Sequence, residues 1–408
     1  MAYELQQAKE LVVEAGKKLV ESGLIARTWG NVSARISDKQ FVITPSGRPY
    51  NTLTPDEIVV VNIDDCSYEG NIKPSSEKGI HADAYKLRSD VNFVIHTHQV
   101  KASVISTAGI SIDNVPEKYI PIIGNYVPCA DYGMPSTDKL RKGVEAAVKN
   151  HPRSKAIIMK HHGALCVAAD SGEAFEIASA LEEVCENVIE NNYIKRANAK
   201  AFNADAMRNH YLFLQDTSLK MPSDIIDLGC SVRIGNYFYL TLKDGSRYNI
   251  HVDSCVSNDG LVPKVARIHS AIYKTSKVNN IAHLTDPDVV AVSAVGKSIN
   301  PLLDDLAQIA GPTIKIAEWN QFERDSSANE IKKCLKGRNA ILIKNCGAIC
   351  TGNNEDDLNA VDLVMAKGCE SEIGSKLLST SKSSGISYLD SFIMRTIYVQ
   401  KYMKQASK

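Results

Sequence analysis

The stretch "KAIIMKHHGALCVAADSGEAFEIASALEEVCENVIE" (residues 155–190) joins an apolar, strand-like run and a His-His-Gly turn to a second apolar run and a helical segment. It recurs as "NAILIKNCGAICTGNNEDDLNAVDLVMAKGCESEI" (residues 339–373). Three pairs of equivalent residues keep one separation of 184 residues: Gly163 and Gly347, Cys166 and Cys350, Cys185 and Cys369. A constant separation predicts a tandem duplication.

Two upstream segments repeat in the same order. "VNFVIHTHQVKASVISTAG" (91–109) resembles "VNNIAHLTDPDVVAVSAVG" (278–296), and "IHADAYK" (80–86) resembles "IHSAIYK" (268–274). A chain of 408 residues is also longer than a domain with a single hydrophobic core usually is. Short strands such as "QFVIT" and "EIVVVNI", flanked by amphipathic helices, favour a layered α/β domain. We therefore predict two α/β domains, 1–205 and 206–408, with the boundary in the polar stretch 203–224.

The composition excludes several classes of function. Lys+Arg and Asp+Glu both number 47, so a nucleic acid or an acidic membrane is not the expected partner. No apolar run approaches membrane-spanning length, and the charged first segment does not resemble a signal peptide. Ten scattered cysteines without such a signal indicate reduced thiols and a cytoplasmic protein.

"FVIHTHQV" (93–100) carries two histidines within an apolar stretch. On a strand, His96 and His98 project side by side and form half of a metal site. His162, at the repeated turn, adds a third imidazole, and Glu77 adds a carboxylate; three nitrogens with an exchangeable fourth position are typical of catalytic zinc. His161 is interpreted as a structural or supporting residue. The alternative is that the histidines are structural.

Three polar turns lie upstream of these histidines in the sequence. They contain Gly30-Asn31, Ser46-Gly47 and Ser75-Ser76. Backbone N–H groups at glycine turns, together with hydroxyl and amide groups, suit an oxyanion such as phosphate. The alternative for each turn is ordinary turn chemistry.

The pieces "GNVSAR", "ITPSGRPY", "PSSE", "HTH" and "HHG" occur in this order in the first half. With these motifs in this order, the first half resembles the class II aldolase/adducin superfamily, and most nearly the L-fuculose-1-phosphate aldolases. The resemblance implies a three-layer α/β/α domain with a largely antiparallel central sheet. It implies a divalent metal, Zn²⁺ with Mn²⁺ or Co²⁺ as alternatives, on Glu77, His96, His98 and His162. It also implies phosphate binding by the three turns.

The activity implied by the resemblance is cleavage of a ketose phosphate to dihydroxyacetone phosphate and an aldehyde. Glu77 would exchange protons, and Tyr119 would reach the aldehyde side. A sugar-phosphate 4-epimerase, or a related dehydratase or decarboxylase, is an alternative within the same superfamily. A non-catalytic interaction protein of the adducin branch is an alternative of another class.

The second half lacks the predicted site, which favours a metal over structural histidines in the first. The residue equivalent to His96 is His283, but the residues equivalent to His98 and His162 are Thr285 and Cys346. The residue equivalent to Glu77 is Lys264 or Val265. We expect this half to be a structural partner. Because relatives resemble four-domain rings, two such chains are expected to form a homo-oligomer.

Overall fold

The computed structural model describes residues 2–25, 29–257, 260–378 and 385–402. The chain divides into two compact units: the main part of the first extends to Arg196, that of the second is Ala197–Leu377, and Leu378 is grouped with the first. This division concerns compactness alone, and the domain limits 1–205 and 206–408 stay a prediction.

The first unit alternates short strands with helices. Its strands are β1 (Asn31–Arg35), β2 (Gln40–Ile43), β3 (Val59–Asn62), β4 (Phe93–Thr97), β5 (Cys129–Ala130), β6 (Ala156–Met159) and β7 (Gly163–Ala168). Its helices are α1 (Leu5–Glu21), α2 (Lys78–Leu87), α3 (Val100–Ala108), α4 (Ile120–Ile123), α5 (Asp138–Asn150) and α6 (Ser171–Ala197).

The seven strands form one sheet in the order β3-β2-β1-β4-β7-β6-β5. Every pair is antiparallel except β5 with β6. Strand β4 lies in the middle, between β1 and β7. Apolar residues of α2 and α5 form a core on one face, whereas α1 and α3 pack against the sheet from its other side. A strand covered on both faces becomes buried along its whole length, as β4 is.

The second unit repeats this sheet in the order β10-β9-β8-β11-β14-β13-β12. Its strands are β8 (Cys230–Ile234), β9 (Tyr237–Thr241), β10 (Arg247–His251), β11 (Asn280–Leu284), β12 (Ile316–Ala317), β13 (Ala340–Ile343) and β14 (Gly347–Gly352). Its helices are α7 (Ala204–Gln215), α8 (Ala266–Tyr273), α9 (Pro287–Ala294), α10 (Asp304–Ile309), α11 (Arg324–Leu335), α12 (Glu355–Leu378) and α13 (Tyr388–Ile397). The structure confirms the predicted fold class of two tandem α/β/α domains with largely antiparallel sheets.

The glycine of the repeated turn is required by a close approach in both sheets. A Cβ on Gly163 would lie 2.2 Å from the backbone oxygen of Thr97, and one on Gly347 would lie 2.2 Å from that of Leu284. Such distances are shorter than any van der Waals contact, so only glycine fits without moving the neighbouring strand. The repeated glycine is therefore a packing requirement of the fold.

The two sheets differ on the side that α1 covers in the first unit. There β1 is buried throughout, and α1 packs on β1 and β2. In the second unit α7 packs on α9. The side chains of Val232, Ile234, Tyr237 and Tyr239 on β8 and β9 are consequently 38–64% exposed.

Candidate metal centre and active site

Three imidazoles converge at the end of β4 and at the turn between β6 and β7. The nitrogens that His96, His98 and His162 can offer to a metal all lie within 4.8 Å of one another. The Nε2 atoms of His96 and His98 are 3.0 Å apart. His98 stands one residue beyond β4, yet the two rings lie side by side as the His-Thr-His spacing predicts.

A hydrogen bond made by Nδ1 of His96 orients the unprotonated Nε2 of this ring toward the cluster. Its Nδ1 lies 2.8 Å from the carbonyl oxygen of Ala164, which only accepts, so Nδ1 carries the proton. Burial lowers the pKa of His96 well below its ordinary value, and the ring is neutral. The Nε2 lone pair is therefore available, and a second ring nitrogen bonded to a carbonyl is characteristic of metal-ligating histidines.

Glu77 supplies a carboxylate to the same cluster from the N-terminus of α2. Its Oε1 lies 3.1 Å from His162 Nε2, and its Oε2 lies 3.3 Å from His96 Nε2. Burial raises the pKa of this carboxyl, but the neighbouring imidazoles of His162, His96 and His98, the first through a hydrogen bond, lower it more and hold it well below its usual range. Glu77 is therefore ionised.

These four side chains have the chemistry of a divalent cation site. Neutral imidazole nitrogens and an ionised carboxylate are the ligands of catalytic zinc, and manganese and cobalt accept the same set. A cation would also compensate the negative charge that Glu77 carries in a buried position. The residues thus fit a bound divalent metal.

Two of the three predicted phosphate turns lie side by side. Ser46 N–H donates to the Lys73 carbonyl (2.9 Å), and Ser75 N–H donates to the Thr44 carbonyl (3.0 Å). The Ser75 side chain accepts from Glu77 N–H at 3.2 Å, which ties this turn to the start of α2. Ser76 is exposed and accepts a hydrogen bond from Ser136 Oγ at 2.8 Å. Gly47 follows Ser46 with φ 72° and is exposed.

The third turn, Gly30-Asn31, lies against the centre of the sheet. A Cβ on Gly30 would lie 2.3 Å from the backbone oxygen of His96, so this position requires glycine. The Asn31 amide is bonded at both ends: Nδ2 donates to Glu77 Oε2 at 3.2 Å, and Oδ1 accepts from His81 Nε2. Sequence reasoning missed His81, although "IHADAYK" and its repeat share this histidine and a tyrosine.

The predicted residues Tyr119 and His161 have other contacts. Tyr119 is buried, and its hydroxyl donates to Glu183 of α6. Its predicted role at the aldehyde side stays a prediction. His161 has φ 61°, which is left-handed, and its ring packs edge-on against Tyr132 at 5.4 Å. It is part of the turn that presents His162.

In the second unit, different side chains occupy the positions equivalent to the four candidate metal ligands. Val265 takes the helix-start position of Glu77. His283 is held by backbone groups: its Nε2 donates to the Cys346 carbonyl at 2.7 Å, and its Nδ1 accepts from Leu228 N–H at 3.1 Å. Burial raises the pKa of Cys346 to about 11, so its thiol stays protonated. Among the described residues of this unit, no cluster of metal-binding groups occurs.

Two stretches of the chain, residues 10–189 and 236–371, match the family model of the Class II Aldolase and Adducin N-terminal domain. Together they cover more than half of the chain. The chain belongs to the class II aldolase and adducin family. Each stretch falls on one of the two sheets, so the duplication predicted from the sequence is a duplication of this family's domain.

Individual relatives of this class II aldolase family member match about half of its length. The 5-deoxy-D-ribulose 1-phosphate aldolase of Bacillus thuringiensis is 34% identical over 179 residues, which are 44% of this chain and 82% of the relative. The L-fuculose phosphate aldolase of Escherichia coli K12 is 33% identical over 175 residues, 43% of this chain and 79% of the relative.

A solved L-fuculose 1-phosphate aldolase aligns with 27% sequence identity and a TM-score of 0.42, over 49% of this chain and 92% of that one. Within the described residues, no helix is both long and apolar enough to cross a membrane.

Proposed function

We propose that this protein is a metal-dependent aldolase that cleaves a ketose 1-phosphate to dihydroxyacetone phosphate and an aldehyde. The observation that carries the proposal is the convergence of Glu77 on His96 and His162 within 3.3 Å in the first unit. The second unit has lost the equivalent ligands and kept the fold. The names of the relatives, 5-deoxy-D-ribulose 1-phosphate and L-fuculose phosphate aldolase, support this substrate class.

The metal, most simply Zn²⁺, would be held by His96, His98, His162 and Glu77. When bound, it supplies a Lewis acid that polarises the substrate carbonyl. Glu77 would carry the proton that C3 gains when the C3–C4 bond breaks. The adjacent turns bind the phosphate through Ser46, Ser75 and Ser76 and backbone N–H groups.

The reaction breaks the C3–C4 bond. The Glu77 carboxylate takes the proton of the C4 hydroxyl as C4 becomes the aldehyde carbon, and it returns a proton to C3, so that no net proton is gained or lost. The carboxylate is ionised before the reaction, so it is ready to receive a proton. Glu77→Gln keeps the shape of the side chain and removes this capacity, and kcat is expected to fall by roughly 10²- to 10⁴-fold.

The test uses the full chain, stripped of metal by a chelator and reloaded with Zn²⁺, Mn²⁺ or Co²⁺. Release of dihydroxyacetone phosphate is measured with a panel of ketose 1-phosphates, and ribulose 5-phosphate is examined for inversion at C4. We expect one metal per chain and aldol cleavage. His98→Ala should lose both, whereas its matched control in the second unit, His283→Ala, should keep both.

Each alternative has its own result. Inversion at C4 without cleavage indicates an epimerase. A protein that binds no metal and turns over no sugar phosphate indicates an adducin-like interaction protein. Two metals per chain, or full cleavage by His98→Ala, would contradict the assigned ligands.

A further inference from the structure

A buried line of hydrogen bonds runs from the core of the first unit to Glu77. Ser33 Oγ contacts Tyr85 Oη at 2.7 Å and His81 Nδ1 at 2.6 Å. His81 Nε2 contacts Asn31 Oδ1, and Asn31 Nδ2 lies 3.2 Å from Glu77 Oε2. Ser33, His81 and Asn31 are at most 4% exposed, so water does not compete for these bonds.

Each bond in this line has one direction. The Glu77 carboxylate only accepts, so the Asn31 amide presents its NH₂ group to it and its oxygen to His81. His81 must then donate from Nε2, which leaves Nδ1 to accept from Ser33. Burial lowers the pKa of His81 to about 3, so the ring carries only one N–H and cannot donate from both nitrogens.

In the second unit, where the described residues form no metal site, His269 takes the same tautomer as His81. Ser231 Oγ contacts His269 Nδ1 at 2.7 Å and Tyr273 Oη at 2.8 Å. His269 Nε2 lies 2.8 Å from the carbonyl oxygen of Leu228, which can only accept. The serine, histidine and tyrosine thus belong to the repeated fold.

Among the described residues, a hydrogen bond links this element to an acidic side chain only in the first unit. By the register of the strands, Gly229 takes the position of Asn31, and Val265 takes that of Glu77. The asparagine is therefore present where there is a carboxylate to hold and absent where there is none.

We propose that His81 is a positioning residue for Glu77, acting through Asn31. The N–H of His81 fixes the Asn31 amide in the one orientation that donates to the Glu77 carboxylate. The flipped amide would place an oxygen against that carboxylate. This inference rests on the proposed function and deepens it: Asn31 orients the metal-binding and proton-carrying carboxylate.

The experiment measures Zn²⁺ affinity of the metal-stripped full chain by competition with a chromophoric chelator. His81→Leu removes the donor, and Asn31→Ala removes the link while leaving the serine, histidine and tyrosine intact. Each is expected to weaken Zn²⁺ binding by about 10- to 100-fold, as loss of a group that orients a ligand does. His81→Gln, which can donate from a similar position, should restore part of the affinity. His269→Leu is the matched control and should leave Zn²⁺ affinity unchanged, whatever it costs in thermal stability.

A double-mutant cycle separates positioning from general damage. In the Glu77→Gln background, His81→Leu should cause little additional loss, because the carboxylate through which it acts is gone. An equal loss in both backgrounds overturns the inference, as does wild-type affinity in Asn31→Ala. If the wild-type chain binds no Zn²⁺, both the inference and the proposed function fail. Zn²⁺ binding with the expected cycle but without aldol cleavage overturns the proposed function alone.

Discussion

The buried imidazole of His269 should make the protein lose stability as the pH falls through the range below 6.5. Burial lowers the pKa of His269 from its ordinary value of 6.5 to about 4. Between these values the unfolded chain binds a proton that the folded chain does not, so the folded state is disfavoured as pH decreases. The contribution is fully present above pH 6.5 and is lost progressively down to about pH 4.

The size of the effect follows from the width of that range. One pKa unit corresponds to about 1.4 kcal/mol, so lowering the pH from 7 to 4.5 costs about 2.4 kcal/mol through this residue. The measurement is urea unfolding of the full chain and of His269→Gln at both pH values. The fall in unfolding free energy should be smaller by about that amount in the variant, whatever its stability at pH 7.

A second variant controls for the loss of any histidine. His251 lies on the edge strand β10 and is only partly buried. The variant His251→Gln should keep the wild-type difference in unfolding free energy between the two pH values. If His269→Gln also keeps the full wild-type difference, the imidazole is not held neutral in the folded state, and its Nδ1 would donate to Ser231 Oγ instead of accepting from it.

Three further predictions concern the first unit and the assembly. Gly163→Ala should lower the free energy of unfolding by about 1–3 kcal/mol, because its Cβ would lie 2.2 Å from a backbone oxygen; an unchanged melting temperature would show that the strands can separate at no cost. Ser75→Ala combined with Ser76→Ala should raise KM for a phosphorylated ketose far more than it lowers kcat, and equal turnover of the unphosphorylated sugar would exclude phosphate binding there. Light scattering should give about twice the chain mass of 44.6 kDa, and a monomer would refute the homo-oligomer of two chains predicted from the sequence.

The duplication and much of the candidate site could be predicted from the sequence because their signals are local. The His-Thr-His spacing brings His96 and His98 together whether or not the strand continues, and the repeated glycine locates the turn that carries His162. The sequence alone leaves the counterpart of Glu77 between Lys264 and Val265, since the spacing of the repeats varies by a few residues. The matching starts of α2 and α8 select Val265.

Contacts between distant segments could not be predicted from the sequence. Asn31 and His81 are 50 residues apart, and no periodicity indicates that one bonds the other. The same applies to the open side of β8 and β9. The segment before β8 forms a helix, as the segment before β1 does, and only tertiary packing directs α7 onto α9 instead of onto the sheet.

Gly229 limits what substitutions could build in the second unit. Its φ of 73° is left-handed, and a Cβ at this position would stand 2.7 Å from the side chain of Leu240 and 3.1 Å from the backbone oxygen of Thr241, so an asparagine would be strained there. Two histidines and a glutamate could be introduced by substitutions at Thr285, Cys346 and Val265, but Gly229 supplies no amide that could orient the glutamate. A second unit given these ligands alone is therefore expected to bind a metal more weakly than the first unit does.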